Sequence, residues 1–571
     1  MGWAYKSRCI RKIKKIIKLI ILNMSKIIKF GNEGRKELAI GVNTVGDTSR
    51  ITIGPKGRNV IFDRGYGGPT IANDSGSISR EIVMEDPIQN MGANIAKEVA
   101  QKTNDNAGDG RTTSVIIMQS IFNEGMKIMN KSKWYKFWNK KSSVNVIGVR
   151  NGIDKASKIA VAYLKDIAKP IKTDEEVTQV AVISSESEEI GKKISETIKQ
   201  LGVDSVITVE ESPVVGISSE VSQGMEFEKG YISHYMVTDQ NRMESVCKDV
   251  SILVTDMKVG IVDEIVPLLE EVMGSGKREL VIIAEDITGE ALQTFIVNKL
   301  RGGLTVLGIK APGFGIRKRD YLEDIATVVG AKFIASDLGT SLNKVKLEDL
   351  GSADRVVSTK DKTIIVGGKG TKESVDSRIA TAKSELSTLD SKHDKLKVEE
   401  RIARLSGGVA IIKVGAATEQ DTKYQKLKIE DAVNSVKAAL EEGIVPGGGV
   451  ALIGAAKEIE LMKKYHSGDY TKDELIGFNI LASALETPLK CIAENCGLNG
   501  KEVVSKVRKM EENGGFDALN NKYVLDMVEF GIINPVKVER NAIENASSAG
   551  GILLTTEVSM AEKPKLLPQG M

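Results

Sequence analysis

Residues 105 to 114 read DNAGDGRTTS, an acidic Gly-Asp-Gly turn set directly before the apolar residues Val115, Ile116, Ile117, Met118, Ile121 and Phe122. A carboxylate at a glycine-flanked turn that opens a helix is suited to a phosphate and its metal ion. The first N–H groups of a helix lack intrahelical partners, and the helix dipole favours negative charge there. Asp109 and the hydroxyls of Thr112 and Thr113 are the groups on offer. Arg111 stands among them, and its guanidinium either supports phosphate charge or crowds out the metal. Three more loops are built for close approach to a ligand: TIGPKG from residue 52, NDSGS (73 to 77) with Asp74, and PGGGVAL (446 to 452). Each alone reads more readily as an ordinary turn than as a ligand site. None matches the phosphate-loop pattern GxxxxGK[ST] or the dinucleotide pattern GxGxxG. The residues by themselves point to a multidomain α/β protein that binds a phosphorylated ligand.

The elements that must position these loops follow from periodicity. From about residue 34 the apolar spacing is helical, interrupted by the Gly-Pro loop at 52 to 59. MGANIAKEVAQKT (91 to 103) reads as an amphipathic helix leading into the acidic turn. In the middle of the chain, short β-rich runs such as SVITVEE, SILVTD, ELVIIAED and LTVLGIKAPG alternate with helical stretches, as in an α/β domain. Residues 377 to 408 read as a charged antiparallel helix pair, and long helices return after GGVAIIKVG. Helical segments at both ends therefore flank an α/β middle, a discontinuous outer domain with an inserted inner one. Pro170 and the glycines at 407–408 and 447–449 are candidate hinges or helix caps.

The bulk numbers fit this picture. A chain of 571 residues is too long for one core. The net charge of +3 conceals an acidic body. Residues 1 to 23 carry seven Lys or Arg and no acid, and KSKWYKFWNKK (131 to 141) carries five Lys and no acid. Neither general nucleic-acid binding nor a membrane span is expected. Cys9, Cys247, Cys491 and Cys496 form no CxxC pair, which favours a reducing compartment, and His234, His393 and His466 read as solvated surface residues. The N-terminal extension 1–23 fits either a mitochondrial transit peptide or sequence upstream of a true start at Met24.

Taken together, the ordered blocks are far more specific. TIGPKGRNV, NMGANIAKEVAQKTNDNAGDGRTTS, IIAEDITGEAL, KAPGFG, GGVAIIKVGAATE and AALEEGIVPGGGVAL occur in the order found in group I chaperonins. Over about residues 26 to 562 the chain closely resembles the bacterial GroEL and mitochondrial sixty-kilodalton chaperonin family. That resemblance implies a multidomain α/β chaperonin subunit: equatorial segments 24–166 and 442–571, intermediate segments 167–223 and 409–441, and an apical domain 224–408. It implies hinges near Pro170 and Gly443, and near Gly224 and Gly408. By motif match, Thr52, Ile53, Gly54 and Pro55 would cradle ATP, and Asp109 would hold Mg²⁺, with K⁺ as a candidate second ion. Gly110, Arg111, Thr112 and Thr113 would lie at the phosphates, with Ile183, Ser184, Gly448, Asp517, Ala518 and Asn534 completing the nucleotide site. Asp431 in IEDAV would be the hydrolytic carboxylate, delivered by a moving segment, and Asp74 would position the attacking water. Tyr231, Tyr235, Met236, Val266, Leu269, Leu292, Ile296 and Val297 would form the apolar surface for unfolded chains. The family's partners would be non-native polypeptides and a lid of the GroES type, in sevenfold homo-oligomeric rings stacked in pairs. The place would be the bacterial cytoplasm or, as the alternative, the mitochondrial matrix.

Several positions depart from the family pattern. Arg111 replaces a threonine, Asn73 stands where a lysine is usual, Ser75 replaces a glycine, and Asn534 replaces an aspartate. Asp74, Asp109 and Asp431 are all retained, so the expectation is a working but slowed ATPase. The alternative is a ring that binds clients passively and has lost its ATP cycle. An insertion of about eleven residues lies within 131–145 and holds two of the three tryptophans; it reads either as a disordered surface loop or sequence artefact, or as a change in ring pairing that favours a single ring. The terminal PKLLPQGM lacks a long Gly-Met tail, so weak chamber-floor effects are expected.

Overall fold

The structure is a computed structural model that describes residues 26–63, 69–135, 144–201, 206–240, 242–313, 315–338, 341–389, 392–511 and 513–563. The N-terminal extension, residues 136–143 of the insertion and the terminal PKLLPQGM lie outside the described residues. The chain forms two compact units, one from residues 1–195 and 418–571, the other from residues 196–417. The segments expected as a separate intermediate domain are thus shared between the two.

The first unit begins with β1 (Lys26–Phe30) and α1 (Gly31–Arg50), then the hairpin β2 (Val60–Phe62) and β3 (Thr70–Ala72). Helices α2 (Ser75–Glu81), α3 (Pro87–Ala107), α4 (Arg111–Tyr135), α5 (Val146–Asp166), α6 (Asp174–Ser185) and α7 (Glu188–Leu201) follow. Helix α3 extends the expected stretch 91 to 103 by four residues at each end. Asp86 accepts from the Ile88 and Gln89 N–H groups, and Pro87 occupies the first turn, where its missing N–H costs nothing. It ends at Gly108 in the left-handed conformation, φ +77°. The apolar run of α4 is wholly buried, from Val115 to Phe122 on every core-facing position. This helix is a central pillar of the unit rather than a surface helix.

The second unit is the α/β insertion. It contains β4 (Val206–Glu211), β5 (Gly216–Ser222), β6 (Gly224–Phe227), β7 (Ser245–Val254), β8 (Lys258–Val259), α8 (Val266–Gly274), β9 (Glu279–Ala284) and β10 (Asp286–Ile287). It continues with α9 (Gly289–Leu300), β11 (Thr305–Lys310), α10 (Ile316–Val329), β12 (Gly351–Ser358), β13 (Thr363–Gly368), α11 (Lys372–Thr388), α12 (Lys392–Gly407) and β14 (Val409–Gly415). Its main sheet has the order β11-β9-β7-β12-β13-β6, parallel through β11, β9 and β7 and antiparallel beyond. Near-continuous Val, Ile and Leu in β7, β9 and β11 match a sheet covered on both faces. A smaller sheet, β4-β14-β5, carries the chain out again.

The chain then returns to the first unit as α13 (Glu419–Glu442), β15 (Ile444–Pro446), α14 (Val450–Tyr465), α15 (Lys472–Leu485), α16 (Thr487–Asn495) and α17 (Gly500–Val507). It closes with β16 (Gly515–Asp517), β17 (Lys522–Val524), β18 (Ile533–Pro535), α18 (Val536–Thr555) and β19 (Val558–Glu562). Strand β19 pairs antiparallel with β1, so the two ends of the unit meet. Residues 472–495 are long and apolar enough to cross a membrane, but two thirds of their most apolar stretch is buried in the core. At the expected hinge, Lys169 and Ile444 exchange backbone hydrogen bonds of 2.9 and 2.8 Å beside Gly443 at φ +86°.

The eight apolar positions assigned to unfolded chains fall into two groups. Tyr235 and Val297 are exposed, and Val266, Leu292 and Ile296 are half-buried. Tyr231, Met236 and Leu269 are instead core residues of the second unit, a correction to the expected surface. Met236 lies under β11, where its sulfur accepts from the Gly308 N–H. Leu269 lies one turn after Ile265 and shares the inward stripe with Leu268 and Val272.

Candidate functional site

The acidic turn joins two long helices, and its glycines are geometrically required. Gly108 closes α3, and Gly110 stands at φ +85° with any Cβ meeting Val538 at 2.8 Å. Between them the Asp109 carboxylate projects toward α13. It accepts from the Ser435 hydroxyl at 2.9 Å and the Ser184 hydroxyl at 3.4 Å, and these two serines lie 3.1 Å apart. Asp109 also accepts from the Gly110 N–H at 2.6 Å. The first turn of α4, with Arg111, Thr112 and Thr113, is half-buried beside it.

Helix α13 brings four polar side chains to this place from one face. Tyr424, Lys428, Asp431 and Ser435 are spaced four, three and four residues apart, the repeat of a helical face. The Tyr424 hydroxyl accepts from Asn73 at 3.0 Å. Lys428 pairs with Glu186 at 2.8 Å. Burial alone would lower the Lys428 ammonium; the charge of Glu186 and its hydrogen bond outweigh this and hold it above the usual lysine range.

Arg111 is the hub. Its Nη1 donates to Asp74 at 2.9 Å, its Nη2 to Asp431 at 2.7 Å and its Nε to Asn104 at 2.8 Å. The side chain is only 13% exposed. Asp74 caps α2 at the same time, accepting from the Gly76 and Ser77 N–H groups. Burial alone would raise the Asp74 carboxyl; Arg111 and those N–H groups more than offset it and hold it below the usual range. Burial pushes the Asp431 carboxyl up to about 8; Arg111 opposes this, and Asp109, Asp74 and Glu430 add repulsion. Burial would lower the Arg111 guanidinium; Asp431, Asp74 and Asp109 outweigh it, and Arg111 stays charged. Gly76 makes room for this arrangement, because a Cβ there would lie 2.4 Å from Arg111 Nη1.

The other loops complete a continuous wall. Gly54 at φ +83° packs on Ile492, and Asn495 donates to the carbonyls of Arg50 and Ile53 at 2.9 Å, which fixes the Thr52–Pro55 loop. Gly448 at φ +62° faces Met527, and Gly447 lies against Asn534. Ile53, Ile532 and Val450 share one small apolar cluster, so these loops belong to one body. Ile183 is exposed on α6 beside Ser184. Asp517 and Ala518 are buried in this wall. The Asp517 carboxylate is taken up locally, accepting from the Leu519 and Asn520 N–H groups and the Asn520 amide. It closes a turn.

Glu539 was not among the expected residues. It is 3% exposed, accepts from the Asn534 amide at 2.6 Å through Oε1, and has no hydrogen-bond partner for Oε2 among the described residues. Burial pushes its carboxyl up to about 7; Asn534 opposes this and the charge of Asp109 adds to it. Among the described residues no three His, Cys, Asp or Glu side chains form a metal cluster. A single carboxylate, Asp109, with hydroxyls around it suits Mg²⁺, which takes one or two carboxylates and completes its shell with phosphate oxygens and water. Gly54, Gly110 and Gly448, at positive φ and packed closely on Ile492, Val538 and Met527, shape tight backbone turns beside an open helix start, a combination that suits a nucleoside phosphate.

Comparison with known proteins bears on the family and the fold. The family model described as the TCP-1/cpn60 chaperonin family matches residues 45–564. In structure the chain is similar to the chaperonin of bacteriophage EL 2 (Pseudomonas aeruginosa), crystallised in the presence of ATP-BeFx. The TM-score is 0.65 at 18% identity, over 93% of this chain and 98% of that one.

Proposed function

The chain belongs to the TCP-1/cpn60 chaperonin family and has its multidomain α/β fold, and from that premise we propose that it is an ATP-driven chaperone of the group I type. The observation that carries this reading is the meeting of Asp74, Asp109 and Asp431 from three distant segments at one helix start. Asp109 would hold Mg²⁺, which when bound would neutralise phosphate charge. The N–H groups at the start of α4, with Thr112 and Thr113, would bind phosphate oxygens. The Thr52–Pro55 loop, Ile183, Gly448 and Asn534 would enclose the nucleoside. Asp431 would orient the attacking water and accept its proton, with Asp74 holding the water from the other side. Because α13 carries Asp431, hydrolysis would wait for that helix to dock.

In this reading the second unit presents Tyr235, Val266, Leu292, Ile296 and Val297 to non-native chains, which bind through apolar burial without sequence preference. The functional division is three-part, with α6 and α13 as the lever between the ATP site and the α/β insertion. Sevenfold rings, a lid of the GroES type and the bacterial cytoplasm belong to the same reading. The experiment is refolding of a denatured client by the purified ring with ATP and a lid. Release that depends on ATP supports a foldase. Capture without ATP-dependent release supports the passive ring.

A further inference from the structure

We propose that Arg111 is a nucleotide-sensitive lock on α13. With no terminal phosphate present, its guanidinium holds Asp431 and Asp74 together. The γ-phosphate of a bound nucleoside triphosphate takes the guanidinium over and frees Asp431 to orient water. The proposal rests on the reading of this pocket as an ATP site and goes beyond it, because it assigns a positioning role to a residue outside the hydrolytic set.

Four observations carry it. The guanidinium bridges two carboxylates that come from positions 37 and 320 residues away in the chain, at 2.9 and 2.7 Å. A planar fork that spans two acceptors fixes their separation, which a point charge on a flexible stem cannot do. Second, the bridge draws Asp431 Oδ1 to the guanidinium while α13 is docked, so a water must compete with Arg111 for that oxygen. Third, Arg111 uses one donor on each of its three nitrogens here, toward Asn104, Asp74 and Asp431. A guanidinium has five N–H donors, so two remain for an incoming anion before any existing bond breaks. Fourth, the seat is shaped for this side chain, since Gly76 leaves the space that Nη1 fills. The guanidinium lies at the two carboxylates assigned to the attacking water, which is where the terminal phosphate must react. On this placement a triphosphate would reach it and a diphosphate would fall short.

The test is amide hydrogen exchange over residues 419–442 of the intact ring without nucleotide, for the parent, Arg111→Thr and Arg111→Lys. Exchange in α13 is expected to be about tenfold faster in Arg111→Thr, the equivalent of losing one charged hydrogen bond, with Arg111→Lys between the two. Equal exchange in all three overturns the lock. Calorimetry with ADP and with a non-hydrolysable ATP analogue, both with Mg²⁺, supplies the second arm. The parent is expected to separate the two ligands by a larger affinity ratio than Arg111→Thr does, and equal ratios overturn the γ-phosphate step. Native mass and melting temperature of each variant report whether it has folded and assembled; the lysine variant preserves the charge if the threonine variant fails. If Arg111→Thr loosens α13 but neither protein binds nucleotide, release by phosphate is overturned together with the ATPase reading. If only Arg111→Thr binds nucleotide, release by phosphate is overturned and the parent is the passive ring.

Discussion

Glu539 gives the most quantitative prediction. Its folded carboxyl is held near 7 against an ordinary value of 4.5, mainly by burial. The folded state thus favours the protonated form. The resulting stabilisation is fully present below 4.5 and is lost as the pH rises through about 7. A shift of that size corresponds to about 3 kcal/mol at the low-pH limit, of which roughly 2–3 kcal/mol disappears between pH 5 and pH 8. Glu539→Gln keeps a neutral, hydrogen-bonding side chain of the same shape and removes this pH dependence. The parent should therefore lose stability relative to Glu539→Gln across that range, in paired denaturant midpoints taken at matched protein concentration. Infrared difference spectra of parent minus variant should show a protonated-carboxyl carbonyl band that titrates near neutrality. An absent band at pH 6, or identical pH dependence in both proteins, would refute the argument that burial holds this group neutral.

Other perturbations separate the parts of the molecule. Gly76→Ala places a methyl group against Arg111 Nη1 and should loosen α13 in hydrogen exchange; combined with Arg111→Thr it should add little, because both act on one contact. Val297→Ser, at an exposed position, should weaken capture of a denatured client without lowering the melting temperature. Met236→Ser, in the core, should instead cost about 2–5 kcal/mol of stability, seen as an earlier unfolding transition. Asp324 is 1% exposed and accepts from Arg401 and Arg378, so Asp324→Ala removes the most buried partner of two cations that keep Glu385 and Glu323. It should destabilise the α/β unit by about 1–3 kcal/mol, readable as selective loss of exchange protection in α10 and α12.

How much of this was legible in the sequence varies from residue to residue for physical reasons. The α3–turn–α4 unit was readable because its signals are local: an amphipathic repeat, a Gly-Asp-Gly turn and an unbroken apolar run. The partners of Arg111 were not readable, since Asp431 is 320 residues distant and the contact exists only once α13 has docked. The three-four spacing of Tyr424, Lys428, Asp431 and Ser435 was visible as a polar helical face, but nothing local says what it faces. Glu539 reads as an ordinary acid in the first turn of a helix; its burial comes from the packing of α18 against α13 and the acidic turn. Helical spacing placed Leu269 on an apolar stripe without telling whether that stripe meets solvent or core, and the structure buries it. The local role of Asp517 was in principle available, because an aspartate followed three residues on by an asparagine is a common turn closure.

The central claim is that this site hydrolyses ATP through Asp431. Steady-state, Mg²⁺-dependent ATP hydrolysis by the purified ring, measured beside Asp431→Ala, tests it most directly. The account predicts turnover in the parent and a loss of about a hundredfold or more in Asp431→Ala with nucleotide binding retained. A parent that binds ATP without hydrolysing it, or an Asp431→Ala variant that turns over as fast as the parent, would contradict it.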